Sequence, residues 1–502
     1  MADGSGACSL AAAARAGHVH VCEWLLANGC PWGVHAAGEA AMGGHSGLMQ
    51  LLLDRCPDAA RLRDTELRGL MLAAVALGCD LATLHCLHGR WMDQEAHIQP
   101  GPADAAAAPP PPYQELSPQI KAKVVAAAAG SATPDWQAKL EWLEGRGYER
   151  CAAACERAAS RVADGAERLA WLRDRGYPVG PEATSVAASA GNLAALRYLL
   201  AHGVRPGEAA TRAAAAEGQL ETLVVLTAAG CAMDDVALLL AAYNGHLHVV
   251  AWLVEALGPA VLQAPAAALL FAVAANGGSL ELLAWLRDRG CPWGDASFVA
   301  AAGAGWVEAL EWLADRGCPL PTGGGAFVAA GFNSDFATLR CLRRIGVPWG
   351  ACGLAFTEAV YSEMRCQGCS RQVLDWMLAE GCPVDWERAL AAAGQRRAGQ
   401  GAAASAMAEW LAVQRDAGRG TVRGDAWDAA ARRRPGGGRS GSRSGSRSGG
   451  GAVFSGGGDS GDDSSGLGGC GWVRRLGRLG RLGALFGGGC CFGSAAARGE
   501  PP

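Results

Sequence analysis

Residues 271–293, FAVAANGGSLELLAWLRDRGCPW, return 27 positions later as FVAAAGAGWVEALEWLADRGCPL, residues 298–320, and the two stretches agree at 13 of 23 positions. A tandem copy at that spacing restricts the chain to repeat architectures, because so short a unit cannot bury its own apolar surface and needs neighbours to cover it. Each copy reads as an Ala-rich helix, a Gly-containing turn and a second helix with Leu280, Leu283 and Leu286 on one side. Gly290 ends that helix: a glycine just past the last periodic residue accepts left-handed backbone, and Pro292 prevents the helix from resuming.

The pattern extends through most of the chain. Copies run over 10–32, 39–57 and 70–91, and resume near Lys121 with WQAKLEWLEGRGY at 136–148 and ERLAWLRDRGYP at 167–178. Others follow at 187–204, 213–231 and 241–258, then, after the founding pair, at 329–349, 371–383 and 406–418, for about thirteen units. Small residues, then Gly-His or Gly-polar, then an apolar helix ending in Gly-Cys-Pro-Trp form an order that resembles the ankyrin repeat, in the variant whose second helix carries LxWL. The resemblance covers most of residues 8–418. It implies an all-α solenoid of stacked helix-turn-helix repeats with short connecting loops, and a non-enzymatic scaffold or adaptor that binds another protein on its concave face. The family's TPLH string is absent, so the hydrogen bonds its Thr and His make are not expected here. Tyr198, Val225 and Trp252 are spaced by 27 residues, whereas Trp252 and Trp285 are 33 apart, the usual ankyrin period. The six residues missing from the short units are expected to come out of the connecting loop.

Composition divides the chain into N-terminal repeats at 8–92, a Pro-rich linker at 93–118, a main stack at 119–418 and a Gly/Ser/Arg-rich tail at 419–502. The linker ends in Pro110, Pro111, Pro112 and Tyr113, which read either as plain spacer or as a string resembling a WW-domain ligand. The tail lacks core-forming residues and is expected to be disordered. Its segment 472–486 interleaves Arg474, Arg475, Arg478 and Arg481 with leucines, and Cys490 and Cys491 follow. This combination suits a basic amphipathic contact with an anionic membrane and lipidation of the two cysteines, although Gly477, Gly480 and Gly483 weaken a helix there.

A net charge of −4 gives no electrostatic footprint for nucleic acid or membrane outside the tail. The expected partner is therefore another protein, with no nucleic acid at the repeat stack, a weak membrane contact through the tail, and a monomeric chain. Of 19 cysteines, Cys30, Cys231, Cys291, Cys318 and Cys382 each follow a helix-ending Gly. Recurrence at a repeat position points to small buried hydrophobes in a reducing compartment, hence a cytoplasmic protein, or one peripheral at an internal membrane. The charge-free run at 256–280 is long enough to span a bilayer, but it lies across a repeat junction in register.

Catalytic and cofactor motifs are lacking: there is no phosphate loop, nucleophile elbow, HExxH or dinucleotide fingerprint, and no cofactor is expected. His18, His45 and His246 follow glycines at the turn and read as turn residues bonding nearby backbone. His85 and His88, with Cys86 between them, offer two ligands without the others a closed zinc site needs. Cys366 and Cys369 form a lone CxxC. Trp24, Trp142, Trp171, Trp252, Trp285, Trp312, Trp376 and Trp410 recur at one second-helix position and read as packing. An alternative comes from the same resemblance, since repeats of this style have been grouped with sphingomyelin phosphodiesterase-related proteins of lipid metabolism. That chemistry needs carboxylates clustered with His or Asn to hold a metal, and no such set can be assembled from the sequence.

Overall fold

A computed structural model describes residues 5–55, 64–93, 116–264, 266–350, 353–361, 368–395 and 401–418. Among the described residues are twenty-six α-helices and no strand, in thirteen consecutive helix pairs. The fold is an all-α helical-repeat solenoid whose pairs follow the repeats read from the sequence. The chain divides into two compact units, Met1–Ala241 and Ala242–Pro502. In the first unit the leading helix of each pair packs on the leading helix of the next. The series runs through Ser5–Arg15, Val34–Met42, Thr65–Gly78, Pro118–Ala129, Ala152–Ala159, Glu182–Ser189 and Glu208–Ala216. In the second unit Ala267–Gly277, Asp295–Ala304, Gly325–Phe332, Leu354–Val360 and Trp386–Gln395 stack likewise.

Alanine makes that stacking close. Ala183, Ala187 and Ala188 are fully buried, and so are Ala210, Ala214 and Ala215 one repeat later; a methyl group lets neighbouring helix backbones approach. The second helices supply the larger apolar mass through leucines three apart. Leu196 and Leu199, Leu223 and Leu226, Leu283 and Leu286, and Leu310 and Leu313 are all essentially inaccessible, each contributing about 2 kcal/mol. Leu280, expected on the buried side, is only half-buried, and Leu282 takes its place because the buried face runs i, i+1, i+4.

Most repeats end by the same device. Gly290 is left-handed at φ 77°, its N–H donates to Arg287 O, and the Cys291 N–H reaches back to Leu286 O at 3.0 Å. Cys30, Cys231, Cys318 and Cys382 make the equivalent backbone bond to Leu25, Leu226, Leu313 and Met377. The position after such a glycine favours an apolar side chain that folds back on the helix, which explains a small hydrophobe there. Cys291, Cys318 and Cys382 are buried as expected, whereas Cys30 and Cys231 are half-buried.

The 33-residue unit differs from its 27-residue neighbour in three places rather than one. Relative to Leu280–Asp288 and Asp295–Ala304, helix Leu247–Leu257 is two residues longer and helix Ala267–Gly277 one residue longer, and the connector between them gains three and holds the 3₁₀ turn Pro259–Gln263. Helices of nine residues still place their paired leucines and alanines, so part of the shortening falls in the helices themselves. The same breaks divide the run at 256–280, and among the described residues no helix is long and apolar enough to cross a membrane.

Residues 94–115 lie outside the described residues, but the leading helices of the repeats before and after them, Thr65–Gly78 and Pro118–Ala129, pack directly on each other. Gly69 permits this approach: Ile120 and Leu116 occupy the space where a Cβ would stand.

Candidate interaction surface

Several polar side chains join one repeat to the next. At the start of its second helix, Asn192 accepts from Ala195 N–H and donates back to Ala159 O at 3.0 Å and Arg161 O at 2.8 Å in the preceding repeat. Trp306 Nε1 donates to Asn276 O at 2.8 Å, and Asn333 Nδ2 to Gly303 O at 2.7 Å. These bonds satisfy carbonyls at the end of the preceding leading helix, which have no partner within it. They tie repeats together in a sequence that lacks the family's Thr and His. His18, His45 and His246 are the N-cap residues of their second helices, yet none makes a side-chain capping bond. The expected bonding to local backbone is not how His45 is used: its ring fills the space where Gly17 lacks a Cβ.

Two long cations extend this joining role into the core. Lys139 is fully buried, and its amine is surrounded by Ala76 O at 3.2 Å, Cys79 O, Ser131 Oγ at 2.9 Å, Thr133 Oγ1 at 2.6 Å and Asp135 Oδ1 at 3.3 Å. Burial lowers the Lys139 pKa, against the opposing pull of Asp135. Burial works to raise the Asp135 carboxyl, but bonds from Thr133 and the Leu81 N–H and the charge of Lys139 hold it below its ordinary range. Arg168, 2% exposed, donates to Ala129 O at 2.7 Å, forms a forked pair with Asp164 Oδ2 and stacks on Trp136 at 4.6 Å.

The second helices present an aromatic stripe. Trp142, Trp171, Trp285 and Trp312 are half-buried, and each carries the guanidinium of the arginine four residues on: Arg146 at 5.3 Å, Arg175 at 4.5 Å, Arg289 at 3.8 Å and Arg316 at 5.0 Å. Arg175 also pairs with Glu141. Most of these rings are therefore packing, covered by their own helix. Trp410 is buried, and Trp24, with Asn28 in place of the arginine, is 63% exposed.

The leading helices of the first unit leave a groove. A cavity of about 400 Å³ crosses Val34–Met42, Thr65–Gly78 and Pro118–Ala129, within the size range of ligand and peptide sites. Its apolar surface comes from Met42, Leu67, Leu70, Met71 and Leu77, with Leu70 46% exposed. Lys123 and Arg157 line it from helices Pro118–Ala129 and Ala152–Ala159, and His35 and Glu39 from helix Val34–Met42. Glu39 is already held by Arg15 at 2.8 Å. The sequence pattern did not single out this groove; Leu70 is an apolar residue on the face of its helix that the buried Ala and Met residues leave free.

Pro110, Pro111, Pro112, Tyr113, Cys366, Cys490 and Cys491 all lie outside the described residues. Cys369 is buried, with its sulfur 3.0 Å from the Cβ position of Gly331, so that thiol is part of the packing. His85 and His88 converge on Trp142, at ring separations of 4.4 and 5.0 Å, and buried His88 Nε2 lies 3.1 Å from Tyr148 OH, while Cys86 faces solvent. Among the described residues no group of three or more His, Cys, Asp or Glu is placed to hold a metal ion.

This arrangement defines a helical-repeat protein in which buried Lys139, Arg168 and Asn192 join repeats and whose open features include an apolar groove and an exposed Trp24. No protein-family model matches the sequence, and no curated protein matches it. Among solved structures the chain is similar to the pentatricopeptide repeat protein PPR10 in complex with an 18-nt psaJ RNA element, and to a cysteine-to-serine variant of that complex. For both, identity is 17% and the TM-score 0.27, with 76% of this chain and 57% of the other covered. The chain thus spans little more than half the length of that protein. The expectation that the repeat stack takes no nucleic acid is corrected here, because helical repeats of that kind hold RNA in these complexes and a near-neutral net charge does not exclude it. A likeness at this TM-score carries no assignment of RNA to this chain.

Proposed function

We propose that the chain is a non-enzymatic, ankyrin-type repeat scaffold that binds another protein through the exposed faces of its leading helices, the side that forms the concave face in that family. The observation that carries this reading is the groove across three successive leading helices, which is open and apolar while the polar groups nearby are spent on joining repeats. The LxWL and Gly-Cys-Pro-Trp strings support the ankyrin assignment, and the buried thiols at repeat ends support a reducing compartment, the cytoplasm in our reading. A photo-crosslinking amino acid placed at Leu70 in the native cell tests it. Discrete protein adducts are expected at Leu70 and not at Val224, which is equally exposed on a second helix. Adducts with RNA alone, or the same adducts at both positions, would overturn it.

A further inference from the structure

The groove is apolar along its length, and its charges are unequal. Lys123 and Arg157, on two successive leading helices, are both exposed and make no ion pair among the described residues. Elsewhere in the same unit Arg15, Arg150, Arg168, Arg175 and Arg212 each hold a carboxylate, but none of these five lines the groove. Across the groove the one carboxylate, Glu39, is neutralised by Arg15. Two cations lining one groove without counter-charge make that part of it electropositive, and the side chain of Arg157 packs near Gly130, with its Cβ 3.3 Å from that residue's Cβ position. An anionic group bound there supplies the missing counter-charge.

We infer that this groove takes an acidic amphipathic segment of a partner protein, its apolar side chains against Leu70 and the two methionines and its carboxylates between Lys123 and Arg157. The inference rests on the scaffold reading above and names the chemistry of its partner. Leucine and methionine walls accept apolar anchors of varied shape, as methionine-rich grooves do for amphipathic helices. The two cations set orientation and choice of partner more than affinity, because exposed pairs are individually weak. Single-stranded nucleic acid is less well matched: its recognition relies on aromatic platforms along a basic track, and the lining holds His35 but no larger ring.

The test uses the full-length protein and a phage-displayed random peptide library of roughly 16 residues, about four helical turns, followed by fluorescence anisotropy with the best binder. Peptides rich in Leu, Phe or Met with clustered Glu or Asp are expected. Lys123→Glu with Arg157→Glu, both at exposed positions, is expected to weaken binding about tenfold or more, and Leu70→Glu to abolish it. Circular dichroism checks that each variant stays folded. Binders that require Leu70 but are neutral or basic, or that ignore the double charge reversal, would sink the acidic selectivity and leave the scaffold reading standing. No binder sensitive to Leu70→Glu, together with an oligouridylate that binds through Lys123 and Arg157, would overturn both.

Discussion

The Lys139 amine donates to the main-chain oxygen of Cys79, 60 residues earlier in the chain, across the inserted segment 94–115. It reaches Ala76 O in the same step and so caps the end of helix Thr65–Gly78 with a group from the next repeat. Lys139→Met fills the space but leaves those carbonyls, Ser131, Thr133 and Asp135 without their donor. Removing one member of a buried charged network costs about 3 kcal/mol or more. A drop of that size in urea unfolding is expected, with faster amide exchange first at residues 76–81.

Two left-handed glycines separate backbone strain from crowding. Gly290 has φ 77° and, apart from Gln263 Nε2 at 3.6 Å, open space where a Cβ would go. Gly278 has φ 75°, but the Trp306 ring stands 2.5 Å from its Cβ position, pinned by the bond to Asn276 O. Gly290→Ala should cost about 1 kcal/mol from conformation alone. Gly278→Ala should cost that plus roughly 1–3 kcal/mol of overpacking. Adding Trp306→Ala to Gly278→Ala should recover the crowding part only, read as a coupling energy in a double-mutant cycle of urea midpoints.

The repeats were legible because LxWL and the helix-ending glycine recur wherever two helices must bury the same faces. The joins between repeats were not, because each uses a different residue. The buried position three residues before Trp142 and its counterparts holds Lys139, Arg168, Ala195, Thr222, Val249, Leu282 and Ala309 in successive units. A cation on that apolar stripe was the available signal, and it fell in the two repeats of the first unit whose inter-helix turns are longest, 130–135 and 160–164. Lys139 organises the first turn through Ser131 and Thr133, and Arg168 the second through Asp164. The groove was illegible for another reason: a cavity depends on what three neighbouring helices leave uncovered, and no single repeat encodes it.

Cutting the chain between the helices it joins tests whether the stack is continuous there. With a protease site engineered within 94–115, the nicked protein is expected to elute from a sizing column as one species at the mass of the intact chain. Leu116 and Ile120 pack over Gly69, and Ser131, Asp135 and Lys139 bond to Leu77, Leu81 and Cys79. Separation of the two pieces in native buffer would mean that residues 8–92 form a stack of their own.

Buried thiols set the alkaline limit of stability. Burial pushes the thiols of Cys155, Cys291, Cys318 and Cys382 up to about 12, and that of Cys79 to about 11, from an ordinary 9.0. Because the folded state keeps these protons while the unfolded chain releases them, the stabilisation is complete below pH 9 and is lost as pH rises toward 12. Each such group contributes a slope of about 1.4 kcal/mol per pH unit within that window. Urea midpoints should fall from pH 9 to pH 10.5, and Cys291→Ala should make the fall shallower by one group while lowering stability at neutral pH only slightly. Residue-mapped alkylation at pH 8 offers a second check: Cys86, which faces solvent, should react in the native protein, and Cys155, Cys291, Cys318 and Cys382 only after unfolding.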